Sequence, residues 1–256
     1  MLLHVSNLTK RYGHLTALSE VSFSIRPGEV LGLIGPNGSG KTTLFECLGG
    51  VLPADAGSVS DDGRGLTADE RRARVFYLPD GIAPWPAQTV RWALEFITGF
   101  FGETGGRPFQ GRRGGPERPA LQSDTVIQEL ALEPLLDSPI GTLSKGQRKR
   151  VLLAIGLLTP QPILLADEPF DGLDLRQTRE VAQTLRAHAS AGRTMFLSIH
   201  QIADAARVCD RFVLLSGGRV CGEGTLDELS AMAGRREREA GQPARRNLEE
   251  VFLALT

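Results

Sequence analysis

Cysteine is scarce in this sequence, and the few cysteines form no motif. Cys47, Cys209 and Cys221 are the three cysteines among 256 residues, and they share no metal-ligand spacing. A disulfide framework would need paired cysteines, and a structural zinc site would need closely spaced ligands. We therefore expect buried, reduced thiols, and we exclude a disulfide-stapled secreted domain and a structural zinc protein.

Long hydrophobic runs and a targeting segment are also missing. The longest apolar stretch, Val151 to Leu158, is less than half of the ~20 residues that a membrane-spanning helix requires. The N-terminus has no basic region followed by an apolar core and a cleavage site. We therefore expect a cytosolic chain that does not cross a membrane by itself.

An excess of positive charge is absent as well. The 29 basic and 30 acidic residues leave a formal net charge of -1, whereas domains that bind nucleic acid usually carry a strongly basic surface. We therefore predict no nucleic-acid partner. A chain of this length, 41% of which is hydrophobic, can bury a substantial core as one domain.

A glycine-rich loop is the feature around which the rest of the chain is organised. The segment GPNGSGKT fits the phosphate-binding pattern G-x-x-x-x-G-K-[ST] at every fixed position and lies between a strand-like run, Val30–Ile34, and a helix-like run from Thr43. Backbone N–H groups of such a loop and of the following helix bind phosphates. Lys41 would reach the β- and γ-phosphates, and the Thr42 hydroxyl suits Mg²⁺. The alternative is a simple glycine-rich turn. The predicted nucleotide-binding residues are Gly35, Pro36, Asn37, Gly38, Ser39, Gly40, Lys41, Thr42 and Thr43.

Strand-like and helix-like segments alternate along the chain. Short N-terminal strands at 2–5 and 21–25 are joined by a polar segment, and later strands are predicted at 75–78, 163–166 and 194–199. Polar residues follow the carboxyl ends of the later strands. This arrangement predicts an α/β fold with a doubly wound, mainly parallel sheet and an N-terminal antiparallel β part.

A small helical subdomain is predicted at residues 89–160. Apolar residues repeat at helix spacing from Thr89, and a second amphipathic run covers Thr125 to Leu136. Between them, the Gly-, Arg- and Pro-rich tract 102–119 is expected to be a mobile loop; RNA binding by this tract is the weaker alternative. We place the main domain at 1–233 and a C-terminal tail with a short helix at 234–256.

Acidic residues follow a fully apolar strand. Asp167 and Glu168 come directly after Ile163–Ala166, and adjacent carboxylates there are costly unless they face a cation or a ligand. Asp167 suits a Mg²⁺ ion, and Glu168 suits the polarisation of a water that attacks a phosphate. His200 follows the next strand, where ligands of a parallel sheet collect, although a lone histidine there is more often structural.

The segment LSKGQ precedes a long apolar helix. Ser144 and Gln147 have the spacing of a capping box, so simple helix initiation is one interpretation. The same arrangement places a hydroxyl and free N–H groups at a helix N-terminus, which can bind an anion.

Together these motifs resemble the ATP-binding subunit of an ABC transporter. The matching segments are the phosphate loop GPNGSGKT, the signature LSKGQ, the Asp-Glu strand ILLADE, the D-loop GLD with Asp174, and His200 as the switch histidine. The resemblance covers nearly the whole chain, and the order of LSKGQ and ILLADEP is far more specific than the phosphate loop alone. It implies a P-loop NTPase core that hydrolyses ATP with Mg²⁺.

The resemblance implies further roles. Tyr12 falls where the family stacks an aromatic ring on adenine, and Lys41, Glu168 and His200 fall at catalytic positions. Two copies are implied to form a homodimeric ATP sandwich beneath membrane (permease) subunits, at the inner face of the cell membrane. Each nucleotide would then contact the signature of the other copy. The signature residues are Ser144, Lys145, Gly146 and Gln147.

Two positions depart from the family pattern. Lys145 stands where the family more often has Gly, a variant of ABC-2-type exporter subunits, whose tails resemble the segment 247–256. Asp80 follows the strand 75–78 where the family usually carries the glutamine of the Q-loop. We predict Asp80 as a third metal-site residue that accepts from a metal-bound water and whose charge repels metal-free ATP.

Two other classes of function stay open. A soluble ABC protein that acts on ribosomes or DNA usually fuses two cassettes or inserts a coiled coil, and this sequence shows neither. A regulatory module that binds nucleotide without turnover is disfavoured by the intact Lys41, Asp167 and Glu168.

Overall fold

The computed structural model describes residues 2–101, 120–240 and 248–255. The strands of the described part are β1 (Leu3–Tyr12), β2 (Leu15–Ile25), β3 (Val30–Ile34), β4 (Ala56–Asp61), β5 (Arg64–Gly65), β6 (Val75–Leu78), β7 (Ile163–Asp167), β8 (Thr194–Ser198), β9 (Arg211–Ser216) and β10 (Arg219–Gly224). Its helices are α1 (Lys41–Leu48), α2 (Ala68–Arg74), α3 (Val90–Phe101), α4 (Ala120–Glu129), α5 (Lys145–Leu157), α6 (Leu175–Ser190), α7 (Ile202–Val208), α8 (Leu226–Ala240) and α9 (Leu248–Leu255).

The central sheet confirms the predicted α/β fold. Its strand order is β10-β9-β3-β8-β7-β6. Parallel ladders join β3 to β8 and β9, and they join β7 to β6 and β8, whereas β10 pairs antiparallel with β9. The carboxyl ends of β3, β6, β7 and β8 therefore lie along one edge of the sheet, and the predicted phosphate, metal and catalytic residues follow those ends.

The N-terminal antiparallel part is also confirmed, but its strands are longer than predicted. These strands form a second sheet in the order β2-β1-β4-β5. The polar residues from Lys10 to Tyr12, assigned from sequence to a connecting segment, continue β1. Lys10 is buried in this strand because its ammonium pairs with Asp55, with 3.1 Å between Nζ and Oδ1. A compensated charge can therefore stay in the strand.

Hydrophobic side chains fill both faces of the central sheet. On one face, α1 and the antiparallel sheet enclose a core in which the Phe45 and Phe23 rings lie 5.0 and 5.4 Å from that of Phe196. On the other face, helices α3 to α9 bury a larger core. The strands β3 and β7, which lead into the phosphate loop and Glu168, are thereby held between two packed layers.

The helical subdomain follows the predicted periodicity in its first helix. Val90, Ala93, Leu94 and Ile97 are buried on one side of α3. The second helix, α4, ends at Glu129, so the prediction that it continues to Leu136 is wrong. The chain turns at Ala131, whose φ is 48°, and a short 3-10 turn with a proline follows at Glu133–Leu135. The tract 102–119 lies outside the described residues.

The C-terminal part packs onto the main core. Helix α8 continues across the predicted boundary at 233 and 234. Leu248, Val251 and Leu255 of α9 are buried in the same core as Leu229 of α8. No helix within residues 2–101, 120–240 and 248–255 combines the length and the apolar character needed to cross a membrane.

Candidate active site

The loop between β3 and α1 has a backbone shape that requires glycine. Gly38 and Gly40 have φ values of 78° and 104°. A Cβ on Gly40 would lie 2.5 Å from the Ala17 carbonyl oxygen, and one on Gly35 would lie 2.3 Å from that of Leu215. A Cβ on Gly38 would meet no described atom within 4 Å, so this glycine faces open space. The loop is tight where it contacts the protein and open where a ligand would approach.

The N-terminus of α1 is suited to an anion. No described side chain caps this helix, whose N-cap residue is Gly40, so its first N–H groups can donate to phosphate oxygens. The Lys41 ammonium donates to the carbonyl oxygens of Gly35 and Pro36 at 2.8 and 3.2 Å. Burial lowers the pKa of Lys41, while the nearby charges of Glu168 and Asp167 act in the opposite direction. A phosphate here would meet a positive charge inside the loop.

Thr42 and Asp167 come together as predicted for a metal site. The Thr42 hydroxyl donates to Asp167 Oδ2 at 2.9 Å. Hydroxyl and carboxylate oxygens are the hard ligands that Mg²⁺ prefers, and few protein ligands are needed because the ion keeps several waters. The residues at this position therefore fit Mg²⁺ beside the phosphate loop.

A serine that the sequence analysis left without a role holds the acidic pair. Ser198 ends β8 directly opposite Asp167 in the parallel ladder and is fully buried. Its hydroxyl donates to Asp167 Oδ1 and accepts from the Glu168 backbone N–H at 2.9 Å. Its position two residues before His200, at a strand end, was the available signal. Ser198 therefore fixes both acidic residues through one oxygen.

Glu168 lies where two cavities meet. Its backbone φ of 48° is unusual for a residue other than glycine, and such conformations persist where surrounding contacts fix them. Glu168 lines a cleft of about 440 Å³ together with Tyr12, Lys41 and Thr42. It also lines a smaller cavity of about 170 Å³ together with His200. Glu168, the predicted base, and His200, the predicted switch histidine, therefore line the same small cavity.

Tyr12 stands at the outer end of the larger cleft. It closes β1, and 46% of its surface is exposed. The Lys10 ammonium lies 5.7 Å from the centre of its ring. An exposed ring beside a phosphate loop can stack on a base.

Asp80 has a partner that the sequence analysis did not predict. Its Oδ1 lies 2.6 Å from Nζ of Lys149 on α5. Burial by itself raises the pKa of Asp80, but the hydrogen bond and charge of Lys149 outweigh it and hold the pKa below its usual value. Carboxylate oxygens of Asp80, Glu168 and Asp171 lie within 4.8 Å of one another. A metal role for Asp80 stays a prediction, and it now competes with an ion pair.

The signature segment begins α5 with the predicted capping box. Ser144 Oγ accepts from the Gln147 N–H at 3.2 Å, and Gln147 Oε1 accepts from the Ser144 N–H at 2.9 Å. Lys145 forms an ion pair with Asp171. Gly146 is packed so closely that a Cβ would lie 2.5 Å from the Gly172 carbonyl oxygen. Helix initiation is thus present, and contact with a partner's nucleotide stays a prediction.

Asp174 of the predicted D-loop also begins a helix. Its Oδ1 accepts from the Gln177 N–H at 2.8 Å, which caps α6. The side chain is exposed, so the cap leaves its other oxygen accessible to a second copy of the chain. That contact also stays a prediction.

Known proteins resemble this chain in sequence and structure. A family model described as ABC transporter matches residues 18–171. The Nod factor export ATP-binding protein I of Ralstonia nicotianae is 32% identical over 233 residues, which cover 89% of this chain and 68% of that protein. A solved ATP-binding subunit of an ABC transporter is 28% identical, with a TM-score of 0.80, and the match covers 100% of this chain and 99% of that one.

A second solved structure that resembles the chain was determined in a post-hydrolysis state. It is a dimeric ATP-binding cassette after hydrolysis, bound to ADP and Pi. It is 27% identical to this chain, with a TM-score of 0.73, and the match covers 87% of this chain and 98% of that one.

Proposed function

The chain belongs to the ABC transporter family, and from that premise we propose that it is the ATP-hydrolysing subunit of a transporter, of the export type. It binds ATP and converts it with water to ADP and phosphate. The observation that carries this conclusion is the convergence of Lys41, Thr42, Asp167 and Glu168 on one edge of the sheet.

The residues of the cleft divide the chemistry among them. The loop N–H groups and Lys41 bind and orient the phosphates, and Tyr12 stacks on the base. Thr42 and Asp167 would hold Mg²⁺, which would neutralise charge on the β- and γ-phosphate oxygens. Glu168 orients the attacking water and accepts its proton, held in place by Ser198. His200 borders the same carboxylate and assists its positioning.

Two copies of the chain bind ATP between them. The dimeric relative with ADP and Pi supports this arrangement. In the proposed dimer of this chain, Ser144 to Gln147 of one copy contact the nucleotide on the phosphate loop of the other. Asp174, the N-cap residue of α6, is exposed for such a contact.

A membrane subunit supplies the transport path. Four aromatic rings form a row on α3 and the segment before it. The centres of successive rings lie 5.1 to 6.1 Å apart, in the order Trp85, Trp92, Phe96 and Phe100. Trp92 and Phe100 are exposed, and exposed aromatic clusters mark protein contacts. We place the membrane subunit on this aromatic face, which follows Asp80 in the chain, and the ATPase at the cytoplasmic face of the cell membrane.

Phosphate release tests the proposal. The purified chain, with its membrane subunit where one is needed for activity, should release phosphate from ATP in the presence of Mg²⁺. Co-purification with a polytopic membrane protein, lost when Trp92 is changed to Ala, would support the transport role. Co-purification with ribosomes instead would favour the soluble alternative, which the comparisons do not support.

A further inference from the structure

We infer that Lys149 is a positioning residue of the ATPase site, and that it acts with Asp80 as one neutral unit beside Glu168. The inference rests on the proposed function, because it concerns how the nucleotide cleft keeps its charge balance. Lys149 has been described so far only as the ion-pair partner of Asp80.

Lys149 joins three elements of the site. Its ammonium, on α5, contacts Asp80 after β6 at 2.6 Å and the Asp167 carbonyl oxygen at the end of β7 at 3.4 Å. The partners are 69 and 18 residues away along the chain. One side chain therefore connects α5, the helix that begins at the signature segment, to β7, which ends at Asp167 and is followed by Glu168.

The surroundings of Lys149 do not explain why it is charged. Its side chain is 7% exposed, and it borders a narrow gap otherwise lined mainly by apolar groups, including Leu78, Leu152 and Ala166. An apolar side chain of similar length would fill this place without the cost of removing an ammonium from water. The charge is thus explained by what it faces.

What it faces is a cluster of carboxylates. Asp80, Glu168 and Asp171 approach one another within 4.8 Å, and Glu168 also lines the nucleotide cleft. Lys145 compensates Asp171, and Lys149 compensates Asp80. Without Lys149, the charge of Asp80 would act on Glu168 and on the phosphates nearby.

This pairing revises the expectation drawn from the sequence. A bare carboxylate at position 80 should repel metal-free ATP, whereas a carboxylate that is paired with Lys149 should not. The repulsion should therefore be weak in the natural protein and emerge when Lys149 alone loses its charge.

A double-mutant cycle tests the inference. The four proteins are the natural chain, Asp80→Gln, Lys149→Met and the double variant, since Met keeps the unbranched stem of Lys without its charge. Equilibrium affinity for ATP is measured in EDTA and in Mg²⁺, together with Tm, kcat and KM. We expect Lys149→Met to weaken metal-free ATP binding about tenfold, the size of effect that one uncompensated charge near a surface can have.

The double variant is the decisive protein. Removal of both charges should restore metal-free ATP affinity to within about threefold of the natural chain, because the double variant keeps the same net charge beside the cleft. Lys149→Met should also lower kcat more than it raises KM, whereas its Tm should change little. A role in packing alone would change Tm and leave ATP affinity unaltered.

A matched control is the exposed pair Arg91 and Asp137. Its Nε and Oδ1 lie 3.0 Å apart between α3 and the segment after α4. Exposed pairs contribute little, so Arg91→Gln, Asp137→Asn and their combination should change ATP affinity less than about twofold.

Either of two results would overturn the inference: unchanged metal-free ATP affinity in Lys149→Met, or a double variant that binds metal-free ATP as weakly as Lys149→Met does. Should Lys149→Met fail to fold, Lys149→Gln removes the same charge and is subject to the same criteria. Failure of the proposed function is a separate result, because the natural chain would then neither bind ATP nor release phosphate.

Discussion

Replacement of Ser198 by Ala should lower the rate of ATP hydrolysis more than the loss of a single hydroxyl group suggests. The hydroxyl donates to Asp167 Oδ1 and accepts from the Glu168 N–H at 2.9 Å. Both contacts are lost together in Ser198→Ala, and the site is fully buried. Water cannot easily replace the lost partner in a strand that is packed on both faces.

The cost can be worked from those two contacts. A buried N–H without an acceptor costs about 1–3 kcal/mol, and a hydrogen bond to a carboxylate contributes ~1.5–3 kcal/mol. Asp167 keeps the hydrogen bond from Thr42, so the loss at its carboxylate is partial. We expect the free energy of unfolding to fall by about 2–4 kcal/mol and Tm to fall on the order of 10 °C.

The effect on turnover separates a positioning role from a structural one. Loss of a group that orients a metal ligand typically lowers metal affinity or activity by about 10–100-fold, so kcat should fall by that amount in Ser198→Ala. Phosphate release at saturating ATP and Mg²⁺, at a temperature where the variant is folded, measures kcat. Thermal unfolding measures stability.

Thr194 at the other end of β8 supplies the matched control. Its buried hydroxyl accepts from the Gly28 N–H at 2.9 Å, so Thr194→Val also leaves a backbone N–H without its acceptor. Stability should fall by about 1–3 kcal/mol, while kcat should stay within about twofold because the change lies at the opposite edge of the sheet. Equal kcat values in the two variants would refute the positioning role of Ser198.

Three further predictions concern the cleft. Glu168→Gln should bind ATP yet hydrolyse it about 100-fold more slowly or worse, and it should elute as a dimer with ATP and as a smaller species without it; unchanged phosphate release would show that Glu168 is not the base. Tyr12→Ala should weaken ATP binding about tenfold, as loss of base stacking does, whereas Tyr12→Phe should bind normally in the same titration; equal losses would contradict stacking. Asp167→Asn should raise the Mg²⁺ concentration needed for half-maximal hydrolysis about tenfold or more, and an unaltered metal titration would remove Asp167 from the metal site.

Features that depend on neighbouring residues were predictable from the sequence. The capping box at Ser144 with Gln147 is confirmed, because a spacing of three residues fixes its geometry. The strand Val75–Leu78 also has its predicted bounds. The phosphate loop belongs to the same class, since its turn, strand and helix are contiguous.

Features that depend on distant residues were not predictable. The sequence gives no sign that Lys10 pairs with Asp55, 45 positions away, so β1 was predicted too short. Ser198 could be placed at a strand end, but its contacts with Asp167 and Glu168 follow from the neighbouring positions of β7 and β8. Asp80 was likewise recognised as a departure, while its partner on α5 was not.

The charges around Glu168 show why substitutions here must be interpreted in pairs. Three carboxylates and the two ammonium groups of Lys145 and Lys149 leave one negative charge in excess. Removing either ammonium doubles that excess, whereas removing Asp80 with Lys149 keeps it the same. The pair at positions 80 and 149 can therefore be exchanged for two neutral residues without changing the field on the nucleotide, but neither member can be exchanged alone. Because a charged residue at position 80 needs its compensation from α5, the identity of residue 149 determines whether Asp80 is compatible with ATP binding.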